Sequence, residues 1–97
     1  LEDLYEESLA IALQQRQIPF ERQKDIYVNY KGRKIGGSQL DLLVDDRLII
    51  EIKAVEQLTP VHTTQVISSL KATGCLLGLL INFNAKVLKQ EIKRITL

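Results

Sequence analysis

One stretch constrains this chain more than any other: Asp41-Leu-Leu-Val-Asp-Asp-Arg-Leu-Ile-Ile-Glu51-Ile-Lys53. It reads as two β-strands, Leu40 to Val44 and Leu48 to Val55, joined by a polar turn at Asp45-Asp46-Arg47. Alternation along the second strand sets Glu51 and Lys53 on one face, ~7 Å apart, and Ile50, Ile52 and Ala54 on the other. Charges of both signs in an otherwise apolar strand run against the tendency of ionised groups to stay out of cores. Asp41, on the preceding strand, is brought beside them by the hairpin. An acid on one strand and Glu-x-Lys on its neighbour is the set of groups a metal-dependent phosphodiesterase needs. The same residues also fit a strand-end acid next to an exposed salt pair, which would contribute little.

The chain has 97 residues, 45% hydrophobic and 26% charged, as expected of a single globular domain. A core of that size is modest, so a homodimer would add stability. No apolar run approaches the ~18 residues of a membrane span, and no signal-peptide pattern heads the chain. Cys75 is the lone cysteine, which rules out an intramolecular disulfide and points to a cytoplasmic setting. The net charge of +1 conceals an asymmetry. Glu2, Asp3, Glu6 and Glu7 crowd the start. Arg22, Lys24, Lys31, Arg33 and Lys34 mark the second segment, and Lys86, Lys89, Lys93 and Arg94 the end. These basic clusters read either as polyanion patches or as solvated strand edges kept from pairing by lysines.

Leu1 to Gln17 has helical spacing through Leu1, Leu4, Tyr5, Leu9, Ala12 and Leu13, and Pro19 ends it. No cap precedes Leu1, so the natural N-terminus is expected to lie upstream. Glu2 sits at the edge of the apolar stripe, whereas Glu6 and Glu7 are expected in solvent. Phe20 to Tyr30 is a long strand with one face exposed, Lys31-Gly32 a turn, and Gly36-Gly37 a bend or bulge on the return. Thr59-Pro60 starts a second helix, with Thr as cap and Pro at its first position, and Gly74 ends it. His62, near that start, reads as a capping or packing residue. Cys75 to Ile81 is an apolar run suited to an interior strand, parallel to the Glu51 strand across the helix. Asn82-Phe83-Asn84 is a loop signal, and Glu91 to Leu97 a last strand. The order is helix, three strands, helix, two strands: an α/β fold with one mixed central sheet flanked by helices.

Asp41 and Glu51 offer two carboxylates, and the carbonyl of Ile52 a third oxygen, to a hard ion such as Mg²⁺ or Mn²⁺. Such an ion assists water attack on a phosphate. Lys53 would orient the water and stabilise charge on the phosphorus centre. Glu2 can reach this corner if the first helix crosses it, and Gln65 faces it from the second helix. Cys75 and Tyr5 read as core residues, and no glycine-rich phosphate loop is present.

Several short motifs together resemble the GxxExxY family, a branch of the PD-(D/E)XK nuclease superfamily. They are Glu2-Asp-Leu-Tyr5, Ile18-Pro-Phe-Glu-Arg-Gln23, Leu40-Asp-Leu-Leu-Val44, Glu51-Ile-Lys-Ala54, Leu58-Thr-Pro-Val-His62, Leu70-Lys-Ala-Thr-Gly74 and Leu79-Leu-Ile-Asn-Phe-Asn84. The resemblance implies a restriction-endonuclease-like αβββαβ core spanning residues 1–97. It also implies metal ligands at Asp41 and Glu51, an active-site lysine at Lys53 and a helix acid at Glu2. Gln65 falls where related nucleases carry a QxxxY motif, but the fourth residue on is Ser69 rather than tyrosine. The activity implied is metal-dependent hydrolysis of nucleic acid, DNA in preference to RNA. The alternative is a catalytically inactive nuclease-fold module that binds nucleic acid or protein.

Overall fold

The computed structural model describes residues 1–84, 86–87 and 89–97. Helix α1 (Glu2–Gln15) stops where Gln17 takes a left-handed conformation, φ 57°. The N–H of Ile18 then bonds the carbonyl of Leu13, and that of Gln17 the carbonyl of Gln14, both at 3.0 Å. This is the Schellman pattern with Gln in place of the usual Gly, and Ile18 and Leu13 share a core. The helix therefore ends two residues before the Gln17 expected from spacing. Its apolar stripe also differs from expectation. Tyr5, Leu9, Ala10 and Leu13 face the sheet, while Leu1 and Leu4 lie in solvent.

Strands β1 (Phe20–Tyr30) and β2 (Arg33–Val44) form a long antiparallel hairpin closed by Lys31-Gly32, both with positive φ. That combination matches the right-handed twist of the flanking strands. Opposite Tyr27, β2 carries two residues, Gly36 and Gly37, and Gly36 has φ 63°. This is the expected bulge, which needs a residue that tolerates the left-handed region. Asp45 and Asp46, both left-handed, turn the chain into β3 (Leu48–Lys53). Helix α2 (Pro60–Thr73) follows, and the Thr59 N–H donates to His62 Nδ1 at 3.0 Å, so His62 caps the helix. Gly74 at φ 78° ends it.

Strand β4 (Leu77–Asn84) then lies parallel to β3, and β5 (Lys89–Thr96) pairs antiparallel with β4. The five strands form one mixed sheet in the order β1-β2-β3-β4-β5. On one face Ile49, Leu43 and Leu80 pack with Val66 and Leu70 of α2. On the other, Ile50, Ile52 and Ile81 pack with Leu13 of α1. α2 lies so close to β4 that a Cβ at Gly78 would come within 2.7 Å of Val66 Cγ1.

Three expectations fail here. The Glu51 strand stops at Lys53, two residues short of Val55. The apolar strand begins at Leu77 rather than Cys75, and it runs through Asn82-Phe83-Asn84, which do not form a loop. Asn82 is fully buried within the sheet. Asparagine signals a turn through its side chain's bonds to nearby backbone. In this chain those bonds go instead to a segment distant in sequence.

Candidate active site

The β2–β3 ladder is short. Leu42 pairs with Ile50, Leu43 with Ile49 and Val44 with Leu48, and no pairing continues beyond Leu42. Past that point Asp41 takes over: its Oδ2 accepts the Ile52 N–H at 2.7 Å. A residue's N–H and C=O point to the same strand edge. The Ile52 carbonyl thus faces the gap that Asp41 occupies, and continued register would set Glu51 opposite Asp41. β3 keeps its place because β4 holds its other edge through Lys53, which pairs with Asn82.

Glu51 is partly buried, and its carboxyl is pushed up from the ordinary 4.5 to about 8. Burial is the largest cause, followed by the negative charge of Asp41 and a hydrogen bond with it; Lys53 pulls in the other direction. Two carboxyl groups therefore share a confined corner whose one nearby cation, Lys53, does not offset their burial and mutual repulsion. Lys53 makes no salt bridge among the described residues, which leaves its ammonium uncommitted. Glu51, Lys53 and Gln65 line one cleft of ≈ 620 Å³ between α2 and the β1–β2 hairpin. Glu2 comes to the same end of β3 from α1, where its Oε1 accepts the Ala54 N–H at 3.3 Å. The structure thus brings Asp41, Glu51, Ile52 and Lys53 to one corner, with Gln65 on the cleft wall, whereas Glu2 reaches the Ala54 backbone from the α1 face and does not cluster with the two carboxyl groups.

The donor set fits a hard, strongly hydrated ion. Among the described residues no three His, Cys, Asp or Glu side chains cluster, which argues against an all-protein zinc cage. Two carboxylates and a carbonyl suit an ion that keeps several of its waters. A divalent cation would add to the single positive charge that Lys53 offers the Asp41–Glu51 pair.

Three features escaped sequence reading. Asn82 clamps the segment after Lys53: its Oδ1 accepts the Val55 N–H and its Nδ2 donates to the Val55 carbonyl, both at 3.0 Å. Asn84 Nδ2 adds a bond to the Glu56 carbonyl at 2.8 Å. Glu6, expected in solvent, is 4% exposed. Arg22 Nε and Nη2 donate to its Oε2 at 2.9 and 2.8 Å, and Gln23 Nε2 to its Oε1 at 2.6 Å. A buried carboxylate needs such partners, and they tie α1 to β1. Gln23 itself has φ 50° and lies opposite Asp41, between the pairs Arg22–Leu42 and Lys24–Leu40. The backbone is thus irregular on both sides of Asp41. Tyr5, read as core, stacks on Phe83 with centroids 4.1 Å apart. Cys75 is buried and free.

The family model for the PD-(D/E)XK nuclease superfamily matches residues 1–95. Among solved structures, a protein designated SSO0001 superposes with a TM-score of 0.72 at 19% identity, over 97% of this chain and 48% of that one. An alkaline exonuclease (LHK-Exo) from Laribacter hongkongensis gives a TM-score of 0.69 at 17% identity, over 97% of this chain and 55% of the enzyme. The same enzyme in complex with dAMP gives 0.69 at 17%, over 97% and 54%. At such identities the likeness concerns the fold, and the chain spans about half the length of these proteins. No curated protein matches its sequence. No helix among the described residues is long and apolar enough to cross a membrane.

Proposed function

The chain belongs to the PD-(D/E)XK nuclease superfamily, and from that premise we propose that it is a nuclease hydrolysing phosphodiester bonds in DNA with the help of Mg²⁺ or Mn²⁺. The observation that carries this reading is the corner at which Asp41 replaces the β2–β3 ladder beside Glu51, Ile52 and Lys53. The carboxylates of Asp41 and Glu51 and the carbonyl of Ile52 would hold the ion. When bound, it offsets negative charge on the phosphate and makes water a stronger nucleophile.

This chain's own groups do the rest. Lys53 donates to a non-bridging phosphate oxygen as charge builds there. Gln65 hydrogen-bonds the phosphate or the attacking water from the cleft wall. Glu2 fixes the backbone just after Lys53 through Ala54, which leaves its Oε2 for a water or a second ion. One P–O bond forms to water and one breaks, and the leaving oxygen departs with a proton. Within the superfamily, the Glu2–Tyr5 spacing and the Glu51-Ile-Lys-Ala54 run support the GxxExxY branch. A cytoplasmic setting and a homodimer, argued from the lone cysteine and the small core, belong to the same proposal.

The test is nicking of plasmid DNA by the purified protein. Cleavage is expected only with a divalent ion, and Lys53→Ala and Asp41→Asn are each expected to lose at least about 100-fold, the scale of removing one group that stabilises the transition state. If Lys53→Ala cleaves as fast as wild type, the enzyme reading is lost. A second reading, an inactive binding module on the nuclease fold, draws on Ser69. Its Oγ donates to the Gln65 carbonyl at 3.1 Å in place of a tyrosine that could reach substrate. Metal-indifferent, salt-dependent DNA binding without cleavage would favour it.

A further inference from the structure

Beyond the Gly36-Gly37 bulge, the β1–β2 hairpin projects from the sheet with every residue from Tyr27 to Gln39 exposed. Tyr27, Val28, Tyr30 and Ile35 are about half accessible, at 50, 55, 57 and 47%. A two-stranded ribbon is marginally stable alone, and an exposed aromatic on each of its faces, Tyr27 on one and Tyr30 on the other, marks it as a contact surface. Lysines alone would be explained as guards against edge pairing, but guarding an edge does not call for two tyrosines.

The charge on this arm has one sign. Between Ile26 and Gln39 lie Lys31, Arg33 and Lys34 and no acidic residue. The cations sit by the rings: Lys31 Nζ is 5.4 Å from the Tyr30 centroid and Lys34 Nζ 5.6 Å from that of Tyr27. Tyr27 is also held in place. Its Cε1 lies 3.4 Å from where a Gly37 Cβ would be, which is van der Waals contact, so the ring rests against the bulge. It then forms a wall of the cleft that contains Glu51, Lys53 and Gln65.

We propose that this arm is a stacking platform for unpaired nucleotides, with Tyr27 under a base and Lys34, on the same face of the ribbon, and Lys31, at its turn, on the phosphates, leading a single strand toward Glu51 and Lys53. The inference rests on the phosphodiester reading of that cleft. Acid-free cationic charge selects a polyanion over an apolar protein partner. Aromatic faces select unpaired bases, because a base inside a duplex has both faces stacked already. The cleft, at ≈ 620 Å³, is of the size that takes small ligands, so it suits a nucleotide or two of one strand and not a turn of duplex.

The test is fluorescence anisotropy in EDTA, where no cleavage intervenes, with a labelled oligothymidylate and a duplex of equal length. Wild type is expected to favour the single strand. Tyr27→Ala should weaken that binding about 5- to 100-fold, the range for losing one base–aromatic stack, and Tyr27→Phe should retain it. Replacing Lys31 and Lys34 together with alanine should flatten the salt dependence by about one to two in log–log slope. Thermal melting confirms that each variant folds. No binding by wild type, equal affinity for duplex, wild-type affinity in Tyr27→Ala, or equal loss in Tyr27→Phe would each overturn the proposal. Cleavage by wild type with unaltered Tyr27→Ala binding removes the arm and leaves the nuclease. Arm-dependent binding with no cleavage under any divalent ion supports the arm and removes the nuclease.

Discussion

Glu51 is where the energetics of a single residue say most about function. Its carboxyl, held at about 8 in the metal-free fold against an ordinary 4.5, keeps a proton that the unfolded chain gives up. The folded state therefore binds more protons across that window, and linkage makes stability fall as pH rises. The favourable contribution is full below about 4.5, declines up to about 8 and changes no further above it. Denaturant unfolding in EDTA should show this loss, on the order of a few kcal/mol, and Glu51→Gln should abolish the slope. A slope unchanged in Glu51→Gln would place the titration elsewhere. Metal affinity runs the opposite way and strengthens through the same window, because the ligand must be ionised. That Glu51 and Lys53 share a face was legible from strand alternation, and that Asp41 lies beside them from the hairpin, without knowledge of the rest of the fold. Glu6 was not legible. Its partners Arg22 and Gln23 lie on β1, and helical spacing does not say which strand a helix will cross.

At the scale of elements, turns and caps were the most readable features. Thr59-Pro60, Gly74, Asp45-Asp46 and Gly36-Gly37 all appear where backbone chemistry demands them. What misled was Asn82-Phe83-Asn84, because asparagine serves two purposes with the same donor and acceptor. Here it satisfies the backbone of Val55 and Glu56 across the β3–β4 pair and so sets the course of the chain that leaves Lys53. Asn82→Leu would strand two backbone groups at Val55, at a cost of about 1–3 kcal/mol each. The expected outcome is a lower melting temperature together with a drop in cleavage rate larger than the drop in DNA binding. If cleavage survives at the wild-type rate in the folded variant, the clamp is structural only. The length of β1 was legible too, but its use was not. Exposure of both faces of a strand depends on what lies beside it, and alternation reports only that one face is polar.

The described residues form a five-stranded sheet with α1 on one face and α2 on the other, arranged so that both helices and the central strands converge on the β3 end. Fold class and element order followed from periodicity and turn chemistry, because a parallel β3–β4 pair needs a crossover and α2 supplies it. The splay that admits Asp41 was not foreseeable, since it depends on where the β2–β3 ladder stops. In the proposed function, the ion would sit where that pairing ends. Diffraction from crystals soaked in Mn²⁺, measured at the manganese absorption edge, tests this most directly. The account predicts one anomalous peak within ~2.0–2.3 Å of oxygens from Asp41, Glu51 and the Ile52 carbonyl. A fully soaked crystal with no peak at that corner, or with manganese held only by other residues, would contradict it.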